Sequence, residues 1–167
     1  MYMRVEVDLS DILGELEEID QNIGRSVKPA AYFGARLVRD EAIEQAPMSA
    51  KAHIFRSGRL NKATGKFMWN GQEYLFYPGD LKKSIYLAQS KEESIDGQRA
   101  VYKVTWRTKP NYGAELMAVP YAYWVEFGNA RMPAHPFVRK AYDMRHKEAE
   151  QLMEKTIREY IHATDNH

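Results

Sequence analysis

The 167-residue chain contains no cysteine. Without cysteine, disulfide bonds, thiolate catalysis and cysteine-ligated zinc are all excluded. No window approaches a run of about 18 apolar residues, so the sequence predicts no transmembrane helix and no membrane partner. No charged segment followed by an apolar run opens the chain, so we expect no signal peptide. The absence of cysteine fits an intracellular or cytosol-assembled protein.

Net charge is also nearly absent, because 24 Lys and Arg against 23 Asp and Glu leave a formal charge of +1. A value this small selects no partner, but the charges are unevenly distributed. The first 20 residues contain seven acids and one base, whereas residues 51–66 contain five bases and no acid. These bases are Lys51, Arg56, Arg59, Lys62 and Lys66. The chain therefore has an acidic start and a basic internal segment.

Residues 2–9 alternate between apolar and charged side chains, which predicts a short strand or an extended arm. A helix should follow, with Ser10 as its N-cap. Gly24 and Pro29 interrupt the helical pattern, so we expect a break or kink near 25–29 and a second helical part ended by Pro47. Apolar residues at three- and four-residue steps predict the buried stripe of this helix, which comprises Ile12, Leu13, Leu16, Ile19, Ile23, Val27, Ala30, Phe33, Leu37, Val38 and Ile43.

Residues 48–78 lack the helical period. Ser, Gly, Lys and Arg dominate 49–66 and predict a mobile loop, and two aromatic runs flank Asn70-Gly71, which predicts a β-hairpin turning there. Basic and aromatic side chains together can bind nucleic acid. We favour the alternative, a solvated loop and a hairpin that packs on a neighbouring subunit. The candidate interface residues are Lys51, Arg56, Arg59, Lys62, Lys66, Trp69, Tyr74 and Phe76.

The remaining pattern predicts an α+β fold, in which a small antiparallel sheet packs against a long kinked N-terminal helix and a C-terminal helix. A turn at 78–84 should lead into a strand through Leu87, and a polar turn should surround Asp96-Gly97. Residues 100–108 alternate as a half-buried strand with Tyr102, Val104 and Trp106 inward. Residues 109–118 should form a loop, and 137–162 the last helix.

The most distinctive stretch runs from Val119 to Ala141. Its prolines and aromatic residues predict a rigid corner between sheet and helix, and Gly128-Asn129 predicts a chain reversal with positive φ. We expect Trp124 and Phe127 to be buried against the C-terminal helix. The single carboxylate among the aromatics, Glu126, could have a raised pKa and act as an acid or base. A buried carboxylate held by backbone amides or by Arg131 is the better explanation.

No other residue pattern carries chemistry. The five histidines form no metal-ligand pair around a Glu, and His135, between two prolines, fits a packed or hydrogen-bonded turn residue better than a ligand. Neither a nucleophile elbow nor a Gly-rich phosphate loop is present. We therefore expect no catalytic residues, no metal, no cofactor and no enzymatic activity.

Three stretches, in this order, resemble the neck or tail-completion family of long-tailed double-stranded DNA bacteriophages and prophages. The first is a helix ending in Ala46-Pro47, and the second is a Gly-x-Leu-Lys-x-Ser-Ile turn into a strand. The third is a Tyr-Ala-x-x-Val-Glu-Phe-Gly run followed by Pro-Ala-x-Pro-Phe. The motif residues are Gly79, Leu81, Ser84, Ile85, Tyr121, Trp124, Glu126, Phe127, Gly128, Pro133, Pro136 and Phe137. Members usually pass almost directly from the first stretch to the second, whereas this chain inserts 48–78.

The resemblance implies a structural virion protein of the head–tail connector, also described as a minor tail or head–tail joining protein. Such a protein would be a single domain over 1–167, here with an inserted basic loop and hairpin, and would form a ring of about six or more copies. Its partners would be itself and adjacent connector and tail proteins, with passive contact to packaged DNA. It would assemble in the host bacterial cytoplasm and reside in the virion. A nucleic-acid-binding module that uses the 51–66 loop is the alternative.

Overall fold

The computed structural model describes residues 10–60, 67–107, 119, 121–130 and 132–162. Within these ranges the chain is α+β, as predicted, and its strands form two antiparallel sheets of two strands each, β1–β2 and β3–β4. The predicted strand at 2–9 and the predicted loop at 109–118 lie outside the described residues. The elements are α1 (Ser10–Gln45), β1 (His53–Leu60), β2 (Phe67–Phe76), α2 (Asp80–Ser84), β3 (Ile85–Gln89), β4 (Tyr102–Trp106), α3 (Ala122–Phe127) and α4 (Val138–His162).

Helix α1 is one continuous helix of 36 residues with Pro29 inside it. The helix is continuous through residues 25–29, so of the two predicted possibilities, a break or a kink, the break is wrong. Proline removes one backbone hydrogen bond, but packing of the flanking turns can keep the helix intact, since tertiary contacts supply most helical stability. The end at Gln45, two residues before Pro47, is confirmed.

The buried stripe of α1 consists mostly of small residues rather than the large apolar residues that the sequence suggested. Ile19, Ile23 and Phe33 are exposed, although Ala30 and Val38 are buried as expected. At Gly34 the reason is the close approach of α4, because an added Cβ would lie 2.7 Å from Met153 Cγ. The stripe recurs at every fourth position and comprises Asn22, Ser26, Ala30, Gly34, Val38 and Ala42, and the buried Ala46 continues it just after the helix ends.

The inserted segment forms a hairpin, but its turn is not at Asn70-Gly71. Residues 53–60, predicted as loop, form β1, and Asn70-Gly71 lies inside β2. The register runs from His53 opposite Phe76 to Leu60 opposite Phe67 and shifts between Arg56 and Gly58, so that residues 70–72 oppose one residue of β1. The Asn-Gly pair thus lies in a bulge, where β2 has two more residues than β1 between the paired positions.

The segments after the hairpin agree more closely with the predictions from the sequence. The predicted turn near Gly79 is a short helix, α2, and the strand after it is β3. The polar turn is confirmed by Gly97, whose φ is 71°, and by pairing between Ile95 and Arg99. In β4, Tyr102, Val104 and Trp106 are partly buried and Lys103 is exposed, as alternation predicts, but Thr105 is also partly buried, so the alternation holds only in part.

The chain divides into two compact units. The first comprises segments 1–40, 87–104 and 142–167, and contains the edge-on contact of Tyr32 with Tyr102 and the Lys28–Asp96 ion pair at 2.6 Å. The second comprises segments 41–86 and 105–141. Its buried residues include Phe76, Leu81, Ile85, Val119, Ala122 and Phe137. All the motif residues lie in this second unit.

Candidate functional site

The three motif stretches, distant in sequence, line one cleft of about 250 Å³ in the second unit. The first contributes Pro47, the second Gly79 and Leu81, and the third Tyr121 and His135. The first two are also joined directly, since Lys82 Nζ donates a hydrogen bond to the Glu44 carbonyl at 3.3 Å. The remaining lining residues are Met48, Ser49, His53, Tyr77, Val125 and Met132. The cleft is thus mainly apolar and rich in methionine and aromatic side chains.

An aromatic cluster beside the cleft joins the base of the hairpin to the segment before α3. The Tyr121 ring lies 4.9 Å from the Phe76 ring and 5.3 Å from the His53 ring, measured between centroids. Burial, helped by the Asp80 carboxylate, raises the pKa of Tyr121 to about 12, so its hydroxyl keeps its proton at physiological pH. Phe76, a predicted interface residue, is fully buried here and supports the fold instead of an outer surface.

Helix α3 has one buried face and one exposed aromatic face. Ala122 and Glu126, four residues apart and therefore on the same side, are buried. Trp124 and Phe127 are 40% and 48% exposed, and Tyr123 is also exposed. The expectation that Trp124 and Phe127 are buried against the last helix is therefore wrong. The sequence suggested a turn, in which all the aromatics could point inward, whereas helical geometry directs them outward.

The buried Glu126 carboxylate caps the start of α4. Its Oε2 accepts the backbone N–H groups of Phe137 at 2.7 Å and Val138 at 3.0 Å, and its Oε1 accepts the N–H of Arg139 at 3.1 Å. The Arg139 guanidinium also donates to Oε1 at 3.0 Å and to the Glu126 carbonyl at 2.7 Å. This confirms the prediction of a carboxylate held by backbone amides. The arginine partner is Arg139, and Arg131 lies outside the described residues.

The electrostatics of Glu126 oppose the acid–base hypothesis. Burial by itself would raise the pKa of this carboxyl, but the three backbone N–H donors and the Arg139 side chain outweigh it and hold the pKa below the ordinary value of 4.5. The suggested raised pKa is wrong. With both oxygens engaged, the carboxylate is fixed as a structural cap and is not presented to a substrate.

The chain reversal after α3 is confirmed. Gly128 has φ 74° and ψ 177°, a region open essentially to glycine alone. Asn129 and Met132 then exchange backbone hydrogen bonds of 2.9 and 3.2 Å, and Asn129 Oδ1 also accepts the Met132 N–H. His135 follows in an irregular segment and is exposed, and its backbone N–H donates to the Val125 carbonyl at 2.7 Å. This reversal returns the chain to α3 before α4 begins.

Gly128→Ala should lower the free energy of unfolding by about 2–3 kcal/mol, because alanine strains this backbone conformation. A Cβ there would also lie 2.8 Å from the Ala134 backbone nitrogen, which cannot move away easily. Gly79→Ala is the matched control: its φ is 88° but the nearest atom to an added Cβ is Met48 Sδ at 4.0 Å. Urea denaturation should show the larger loss at Gly128. Equal losses would mean that neither the more restricted backbone region of Gly128 nor its contact with Ala134 adds to the cost of a positive φ.

Sequence reasoning missed several residues of this region. Asp80 is buried and accepts the Tyr77 N–H at 2.6 Å, and its place after Pro78-Gly79 was an available turn signal. Arg139, in the first turn of the predicted last helix, was not singled out. The position of His53 beside the cleft had no local signal, because its strand was hidden in a polar, glycine-containing segment.

Within the described ranges, no three His, Asp or Glu side chains cluster in a way that could hold a metal ion. Among the helices described, none combines the length and the hydrophobicity needed to span a bilayer. Comparisons of the chain with known protein families, with characterised proteins and with solved structures find no match.

Proposed function

We propose that this protein is a structural subunit of a bacteriophage head–tail connector, a neck or tail-completion ring that joins the portal side of the capsid to the tail tube. The observation that carries the proposal is the convergence of three motif stretches in one compact unit. Leu81 and Tyr121, from the second and third stretches, line the same cleft. Glu44, from the first stretch, accepts a hydrogen bond from Lys82 of the second. A motif set that forms one structural unit is better support for the resemblance than three separate sequence matches.

The exposed aromatic face of α3 supports assembly into an oligomer. Tyr123 and Phe127 lie 4.7 Å apart between ring centroids, and the Arg139 guanidinium lies 4.9 Å from the Phe127 ring. Tyr, Trp, Phe and Arg are the side chains most enriched at protein–protein interfaces. An apolar surface that the subunit leaves exposed is explained if neighbouring subunits or an adjacent connector protein cover it.

Ring formation requires each subunit to present two different complementary surfaces, because its contacts are head-to-tail. The acidic start of the chain and the basic 51–66 segment provide opposite charges for such a contact. In this role the protein would act by filling space and binding copies of itself, in the virion and without catalysis.

Mass photometry and negative-stain imaging of the purified chain should show rings of about six or more copies. Reversing the charges of Lys51, Arg56, Arg59 and Lys62 should raise the concentration needed for assembly by about tenfold. The matched control reverses four exposed lysines elsewhere, Lys91, Lys140, Lys147 and Lys155, and should leave assembly unchanged. If the wild-type chain forms no ring, alone or with portal and tail proteins, the proposal fails.

The same preparation tests the alternative of a nucleic-acid-binding module. Three bases at Lys51, Arg56 and Arg59 on or next to one strand favour that alternative. It predicts an affinity for duplex DNA that falls steeply as the salt concentration rises, because Lys and Arg side chains bound to phosphates release counterions from the DNA. A connector subunit should bind duplex DNA weakly at physiological salt.

A further inference from the structure

The first half of α1 is acidic in sequence, and its described residues, from Ile19 onward, include exposed apolar side chains. Residues 10–23 contain five acids and no base. Ile19 and Ile23 lie one turn apart and are 41% and 37% exposed, Asp20 beside them is exposed, and Asn22 is buried. We call Ile19, Asp20 and Ile23 the acidic helix face. Two isoleucines exposed on one side of a helix are unfavourable in water unless another surface covers them.

The base of the β1–β2 hairpin carries a basic and apolar surface. Ile54 lies opposite Leu75, and the two are 57% and 45% exposed. The neighbouring pair, His53 and Phe76, lies on the other side of the ribbon because side chains alternate, and Phe76 is buried. At these two pairs the ribbon therefore carries apolar side chains on both sides, and the fold buries Phe76 on one of them.

Charge on the hairpin is opposite to that on α1. Residues 51–60 and 67–76 contain three bases, Lys51, Arg56 and Arg59, and one acid, Glu73. Lys51 is exposed, three residues before Ile54. We call Lys51, Ile54 and Leu75 the basic hairpin face.

We infer that the basic hairpin face of one copy binds the acidic helix face of the next copy in the ring; this inference rests on the proposed function and names its contact. Each surface offers an apolar pair flanked by charge, and the charges are opposite, so the two complement each other in both respects. They are different surfaces of one chain, as head-to-tail contact requires. A nucleic acid could use the basic face, but it would leave the isoleucines of α1 uncovered.

The absence of cysteine makes a direct test possible, because any introduced thiol is unique. Ile23→Cys and Leu75→Cys are prepared separately, mixed and oxidised, and a short bis-maleimide is used in parallel. The mixture should give at least about tenfold more cross-linked dimer than a mixture of Tyr142→Cys and Leu75→Cys, since a disulfide requires nearby Cα atoms. Tyr142 is the matched control because it is also exposed. The double variant with both thiols should give a ladder of cross-linked oligomers.

A charge exchange tests the electrostatic part. Asp20→Lys and Lys51→Asp should each weaken assembly measured by mass photometry. The double variant should recover most of the loss, because positions 20 and 51 then carry opposite charges again, with the signs exchanged. All these positions are exposed, so thermal melting should confirm that each variant folds.

The outcomes distinguish a failure of this contact from a failure of the proposed connector ring. Rings that form without cross-linking between positions 23 and 75 and without effect of either charge change would overturn this contact and leave the ring intact. Specific cross-linking into open chains or dimers, with no closed ring under any condition, would support the contact and contradict the connector ring. A monomeric chain with no cross-link above the control would overturn the contact.

Discussion

Glu126→Ala should lower the free energy of unfolding by about 3–5 kcal/mol, because it removes a fully buried acceptor of three backbone N–H groups, and each hydrogen bond to a charged group contributes about 1.5–3 kcal/mol. The substitution leaves three N–H groups at the start of α4 without their acceptor and leaves Arg139 without its carboxylate. It also removes the negative charge that favours a helix N-terminus. Urea denaturation followed by far-UV circular dichroism measures the change.

Glu148→Ala is the matched control, because Glu148 pairs with Arg145 on the exposed surface of the same helix. That change should cost less than about 0.5 kcal/mol. Glu126→Gln should fall between the two, since it keeps the volume and one acceptor oxygen but places an N–H₂ group against backbone donors. A loss at Glu126 no larger than at Glu148 would contradict the capping role.

The lowered pKa of Glu126 also predicts how stability depends on pH. Because the folded-state pKa lies below the ordinary value of 4.5, the carboxylate stabilises the fold fully above that value. Its contribution should be lost as pH falls from about 4.5 through the lower folded-state pKa. Wild type should therefore lose stability more steeply than Glu126→Gln over that acid range, and the two should run parallel between pH 5 and 7. Parallel curves throughout would mean that Glu126 has the same pKa folded and unfolded.

Phe137→Ala should cost about 3–5 kcal/mol, the range for removing a large buried aromatic side chain. Phe137 is fully buried, its ring centroid lies 5.7 Å from that of Trp106, and it directly precedes α4. The cavity left by alanine would therefore lie at the point where the last helix begins.

Phe127→Ala is the matched comparison, because it removes the same side chain from the same motif. Its ring is about half exposed, so the loss should be less than about 1.5 kcal/mol. Thermal and urea denaturation of the two variants should rank Phe137 far above Phe127. If Phe127→Ala weakens assembly while it preserves folding, the exposed face of α3 is part of an interface. The reverse ranking would contradict the burial described here.

Interactions between residues close in the sequence determined the helices, one helix end and the turns of this protein. The amphipathic period gave α4 and most of α1, since a helix needs only its own spacing of apolar residues. Pro47 predicted the end of α1, and Gly97 and Gly128 predicted turns, because φ restrictions act within a few residues. The sequence predicted that Glu126 is held by hydrogen-bond donors, since a buried carboxylate among aromatic residues needs them, but it did not identify Arg139 as one of the donors.

Tertiary structure decided what depends on partners distant in sequence. The register of β1 with β2 turned a polar segment into a strand and moved Asn70-Gly71 from a turn into a bulge, because strand pairing is a long-range choice. Close contact with Met153 and Ala149 of α4 explains the glycine at position 34, whereas Ile19 and Ile23 are exposed. The helix after Tyr121 directed Trp124 and Phe127 outward, so the residues that looked most like a core are surface. Periodicity in a sequence shows which residues share a face, whereas only packing decides which face is buried.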